Sequence, residues 1–164
     1  MYQKIVVPLD GSKLAECVLP HVEMVAKGCH TETVILVTVT ERITASSSVT
    51  HLAQPPDMQP VLVPVLKVPV IVGKKQKQGA RYLKRIAKRL ENNGVNVETE
   101  VLLGNPADEI TSFTEQTGAS LICMASHGRS GPSRWAYGSV ADKVFRSSCV
   151  PILMVRAPGC MPGI

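Results

Sequence analysis

Residues 124–144, MASHGRSGPSRWAYGSVADKV, hold three glycines, four serines and two arginines, with Asp142 their only carboxylate. Such a segment is rich in donors and poor in acids, so the chemistry it suits is anion binding. Glycine lets backbone N–H groups approach an anion closely and takes positive φ without steric cost. Gly138 and Ser139 stand where the pattern SVADKVFRSS opens a helix. The first turn of a helix has unpaired N–H groups and a partial positive charge, which together make a phosphate site. Ser139 adds a hydroxyl donor, and Arg129 and Arg134 add guanidinium donors that no acid in the loop neutralises. His127 is either a further phosphate donor or an ordinary loop histidine. For any one glycine, turn punctuation or a helix cap is the favoured reading; the assembly after a buried strand favours phosphate. Neither the P-loop pattern nor G-x-G-x-x-G occurs, so a bound nucleotide would need another arrangement.

The elements that must position this loop are legible from periodicity. KIVVPL, closed by DGS, reads as a strand buried on both faces with a tight turn after it. Leu14, Val18, Val22 and Val25 recur at helical spacing up to Gly28, and Pro20 is expected to kink that helix. TVILVTV (33–39) is a second buried strand, and VNVETEVLLG (95–104) alternates as an edge strand does. Asn105 and Pro106 cap and open a helix through NPADEITSFTEQ; SLICMA, SVADKVFRSS and VPILMVR supply the last strand, helix and strand. Alternating strands and helices predict an α/β fold: one open, doubly wound parallel sheet of about five strands with helices on both faces. Ligands of such sheets bind outside the carboxyl ends of the strands. PLDGS, TVTER and the glycine-rich loop are therefore expected to converge there. Residues 41–74 are the anomaly, a long connection with TASSS and then five prolines between Pro55 and Pro69, expected to be extended rather than helical. One domain is expected over 1–158, with an insertion at about 43–74 and a flexible tail at 159–164.

Composition bounds the partners. At 164 residues the chain holds one real core, and 45% apolar with 19% charged residues is ordinary for a globular protein. The net charge of +5 leans towards anions, yet eight of the 18 Lys and Arg fall between Lys74 and Arg89. There Ala80, Leu83, Ile86, Ala87 and Leu90 mark the inner face of an amphipathic helix. Without aromatic residues among those charges, a solvated basic face is the preferred reading and a nucleic-acid partner is disfavoured. Five scattered cysteines (17, 29, 123, 149, 160) form no C-x-x-C pair, and Cys17 and His21 share a helical spacing without a second pair to complete a metal site. Free thiols, no signal-peptide pattern and no apolar run long enough to span a bilayer predict a cytoplasmic protein without a membrane partner.

With these residues in place the chain resembles the universal stress protein family. Nucleotide-binding members carry G-x2-G-x9-G-[ST] after the fourth strand; Gly128, nine residues, then Gly138 and Ser139 match, while Ala125 replaces the first glycine. KIVVPLDGS, ILVTV, GNPADEI and VPILMV agree as well, so the likeness spans nearly everything outside 43–74. The resemblance implies the adenine nucleotide alpha hydrolase-like fold and ATP, with Mg²⁺ or Mn²⁺ on its phosphates. By resemblance, Pro8, Leu9 and Asp10 line the adenosine end and Val39 offers its backbone to adenine. Met124 and Ala125 pass the ribose, Gly128 and Arg129 flank the phosphates, and Gly138, Ser139 and Val140 wrap them. It also implies a homodimer paired through the last strand, Val150 to Arg156.

Hydrolysis needs a positioned nucleophile and a group orienting it, and the glycine-rich loop has no base. An ATP-binding, nucleotide-responsive regulator of stress physiology is therefore expected. A slow ATP hydrolase or phosphotransferase, and a nucleotide-free interaction module remade by Ala125 and the insertion, are the alternatives. Since the excursion leaves the second strand beside the predicted site, its valine-rich half is expected to act as a partial lid.

Overall fold

The computed structural model describes residues 2–40, 68–127 and 138–156. Five strands build one sheet: β1 (Lys4–Pro8), β2 (Thr33–Thr40), β3 (Val97–Leu103), β4 (Leu121–Ala125) and β5 (Ile152–Val155). Their order is β3-β2-β1-β4-β5 and every pair is parallel. β1 is central, and Ile5, Val6 and Val7 are wholly buried, which is why KIVVP reads as a continuous apolar run. β3 lies at an edge, and its alternation of exposed Glu98 and Glu100 with half-buried Val97, Thr99 and Val101 follows from that position.

Alternate residues of each strand face opposite layers. Ile5, Val7, Val34, Leu36, Leu121 and Cys123 pack against α1 (Leu19–Gly28) and α2 (Val68–Glu91). Val6, Ile35, Val37, Ile122 and Met124 pack against α3 (Pro106–Gln116) and α4 (Ser139–Ser147). Each fully buried Val, Leu or Ile of these layers contributes roughly 1.5–3 kcal/mol. The expected class, a doubly wound α/β sheet with helices on both faces, is the one observed.

Two local expectations need correction. Pro20 does not kink a helix. A 3-10 turn over Ala15–Val18 comes first, and α1 starts at Leu19 with proline in its first turn. The missing N–H is harmless there, because first-turn N–H groups have no intrahelical acceptor. Nor is the whole of 41–74 extended: α2 already runs from Val68, with Pro69 again in a first turn. Residues 41–67, which hold most of the expected lid, lie outside the described residues, as does the expected tail; the last five residues of that lid, 68–72, belong to α2.

Candidate functional site

β1 ends at Pro8, and the next amide, Leu9 N–H, still donates to the Val37 carbonyl at 2.8 Å. The chain then turns at Gly11, whose φ of 85° is the left-handed conformation that glycine adopts freely. Asp10 Oδ1 accepts the Ser12 N–H at 2.9 Å and Ser12 Oγ accepts the Ala15 N–H at 3.1 Å. These two bonds start the 3-10 turn and fix the Asp10 carboxylate at the end of the central strand.

A second turn system closes over β4. Ser126 N–H donates to the Val155 carbonyl at 2.8 Å, and the Ser126 carbonyl accepts the Gly138 N–H at 2.8 Å. The chain thus returns at Gly138 to the point it left after His127. Gly138 is the N-cap of α4 in an extended conformation, and no side chain caps the helix there. The N–H groups of its first turn, beginning at Ser139 and Val140, are therefore the donors that a helix start leaves open. Below them His127 is buried, with its Nδ1 3.0 Å from the hydroxyl of the fully buried Ser126.

Between these turns lies a cavity of about 310 Å³, within the size range of small-ligand sites. β1 leads on to β2 and β3 on one side, while β4 and β5 lie on the other, so the cavity sits where the strand order reverses. Pro8, Leu9 and Asp10 enter it from β1, and Val39 from β2. Met124, Ala125 and His127 enter from β4 and the residues after it, and Gly138, Ser139 and Val140 from the start of α4. Gly128 and Arg129, the other two residues of the expected site, lie outside the described residues, as does Arg134. Ala15, Val37, Pro106, Ile110 and Ser126 also line the cavity, and the sequence pattern had not singled them out. Val37 was within reach, since it shares a strand face with Val39 two residues on. Pro106 and Ile110 are four apart on one face of α3, a spacing that marks a common side but not what that side faces.

Ala125 ends β4 without strain: among the described non-glycine residues only His30 has positive φ. Alanine at the first motif position thus places a methyl group on the cavity wall at no backbone cost. Apolar walls meet Asp10 on one side and the α4 amides on the other, an arrangement suited to a ligand with a flat apolar part and an anionic tail. No cluster of three or more His, Cys, Asp or Glu that could hold a metal occurs among the described residues.

Cys123 sits in the wall of β4, fully buried, and burial pushes its thiol up to about 12. Cys149 is exposed. A brief iodoacetamide pulse at pH 8, read by peptide mass mapping, is expected to label Cys149 and spare Cys123 until denaturant is added, because the thiolate is the nucleophile. Labelling of Cys123 in the native protein would mean that β4 opens locally.

A parallel α/β sheet with a donor-rich cleft at its switch point is the kind of architecture that holds a ligand outside the carboxyl ends of its strands. The model of the universal stress protein family matches residues 1–156. The chain belongs to that family. It is 32% identical over 156 residues to the universal stress protein YxiE of Bacillus subtilis, covering 95% of this chain and 100% of that one. The solved structure of MJ0577, from Methanocaldococcus jannaschii, matches with TM-score 0.79 at 28% identity, covering 97% of this chain and 99% of that one. A universal stress protein solved in complex with cAMP matches with TM-score 0.62 at 19% identity, over 95% and 98% of the two chains. No helix among the described residues is long and apolar enough to cross a membrane.

Proposed function

We propose that this chain is a nucleotide-responsive regulatory protein of the stress response that holds ATP, with Mg²⁺ or Mn²⁺ on the phosphates, in the cavity between β1, β4 and α4. The single observation that carries the reading is the uncapped N-terminus of α4 opening on that cavity opposite Asp10. The apolar walls suit a purine and the Asp10 carboxylate suits ribose or base donors. The amides after Gly138, with the Ser139 hydroxyl, suit phosphate oxygens. The complex of a fold neighbour with cAMP speaks for what the fold accommodates, and at 19% identity for no more than that. A metal on the phosphates would neutralise part of their charge, while this chain's residues bind and orient the nucleotide.

The same reading extends to a homodimer paired through Val150 to Arg156. β5 is an edge strand, and Ile152, Leu153, Met154 and Val155 are all only half-buried. An apolar edge of this kind is satisfied by a second copy.

Titration calorimetry of nucleotide-stripped protein with Mg·ATP is expected to show saturable binding. Mass analysis of material released from freshly purified, denatured protein is expected to show an adenine nucleotide. Absence of both would overturn the proposal and leave the interaction-module alternative.

A further inference from the structure

We infer that the solvent face of α2 is a docking ridge for the phosphate backbone of a single-stranded nucleic acid. Lys74, Lys75, Lys77, Arg81, Lys84, Arg85, Lys88 and Arg89 are all exposed. Leu83, Ile86 and Leu90 fasten the opposite face of α2 into the core, so this row of cations is held rigidly against the sheet. No acid occurs in the sequence from Val68 to Leu90. Of these eight cations only Arg85 has an ion-pair partner among the described residues, Glu16 at 3.3 Å. A helix face that served only for solvation would commonly interleave acids at four-residue spacing; this one does not.

Its shape selects the partner. Lys74, Lys77, Arg81, Lys84 and Lys88 recur at three- and four-residue steps and form one stripe. At the α-helical rise the stripe carries a cation every 5 Å or so. On one flank stand Glu16 and Glu23; Glu23 already accepts from Lys27 at 2.7 Å and from Asn93 at 2.8 Å. The stripe thus runs along the helix axis with acids on one side of it, a shape complementary to a linear polyanion rather than to a flat anionic bilayer. A bilayer would also call for exposed apolar side chains, and the large ones exposed among the described residues, Met24 and Phe145, are not on α2. Tyr82 lies half-buried beneath Arg85, 5.5 Å from its guanidinium, so it offers no free ring for a base. The missing aromatics, which weighed against nucleic acid in the sequence, remove base stacking and sequence preference but not attraction to phosphates.

The test is fluorescence anisotropy of a labelled oligothymidylate titrated with the full-length protein at several salt concentrations. If about five phosphates are neutralised, affinity should fall on the order of a hundredfold between about 50 and 200 mM salt. A variant with Lys77→Gln, Arg81→Gln, Lys84→Gln and Lys88→Gln should bind at least about tenfold more weakly and lose most of that salt dependence. Glutamine keeps helix propensity, and an unchanged melting temperature would show that the variant is folded. The inference is overturned if the wild type does not bind, if the variant binds equally well, or if phosphatidylserine vesicles or polyglutamate bind more tightly than the oligonucleotide at matched charge. None of these outcomes depends on whether the cavity holds ATP.

Discussion

Gly138→Asp is expected to weaken ATP binding severely while leaving the fold as stable as before, or slightly more so. Gly138 has φ −68° and ψ 158°, a backbone any L-residue adopts, and among the described residues an added Cβ would meet nothing closer than the Ser126 carbonyl at 3.4 Å. Aspartate is also a favoured N-cap, whereas glycine leaves α4 without a side-chain cap. The new carboxylate would therefore accept the first-turn amides itself. Under the proposed function those are the donors that hold the phosphates, so the helix would be capped by its own anion and closed to the ligand's. Losing two charge-assisted hydrogen bonds costs about 3 kcal/mol, and like-charge repulsion adds to it, so affinity should fall by about a hundredfold or more. Gly138→Ala, which adds a methyl group and no acceptor, should stay within several-fold of the wild type. Calorimetry with Mg·ATP and a thermal melt on both variants check this. A Gly138→Asp protein that binds normally would place the phosphates elsewhere.

This result turns on a feature that the sequence showed only in part. That a helix begins at Ser139 was legible, because Ala141 and Val144 mark its buried side and Gly138 punctuates its start. The strands were legible for a simple reason: both faces of β1, β2 and β4 are covered, so they appear as continuous apolar runs, too short for helices and mostly bounded by turn residues. Asn105, which accepts the Ala107 N–H at 3.2 Å, was legible from its place before proline. What stayed hidden depends on distance in the chain. Pro106 and Ile110 join the cavity wall only once α3 has packed beside the sheet's carboxyl edge, and no local pattern encodes that meeting. The two proline expectations failed together. A proline within an apolar periodicity gives the same signal whether it interrupts a helix or opens one. At both Pro20 and Pro69 the helix begins at the preceding residue. Ala125 posed a question that only backbone geometry could answer, since the cost of a methyl group there depends on the sign of φ.

The second large effect is on stability and concerns Gly79, in the interior of α2. Glycine inside a helix ordinarily costs about 1 kcal/mol relative to alanine, so its substitution would normally stabilise. Here it lies at a close approach of α2 to the sheet. A Cβ built on Gly79 would lie 2.9 Å from Cγ2 of Thr38 and 3.7 Å from Cγ1 of Val101. Thr38 is buried in β2, and its β-branched side chain has little rotamer freedom with which to yield. Relief would have to come from moving α2 away from β2 and β3, which would loosen the buried contacts of Leu83 and Ile86 in the same helix. Gly79→Val is therefore expected to destabilise the protein by about 2–3 kcal/mol, as overpacking of a filled core does. Gly79→Ala should come out near neutral to mildly destabilising, its propensity gain offset by the contact with Thr38. In the double variant Gly79→Val with Thr38→Ser the offending methyl group is gone, and part of the loss should be recovered. Such non-additivity is expected of residues in direct contact. Urea unfolding of the three variants decides the matter: a Gly79→Val protein as stable as the wild type would mean that α2 does not rest on β2 at this point.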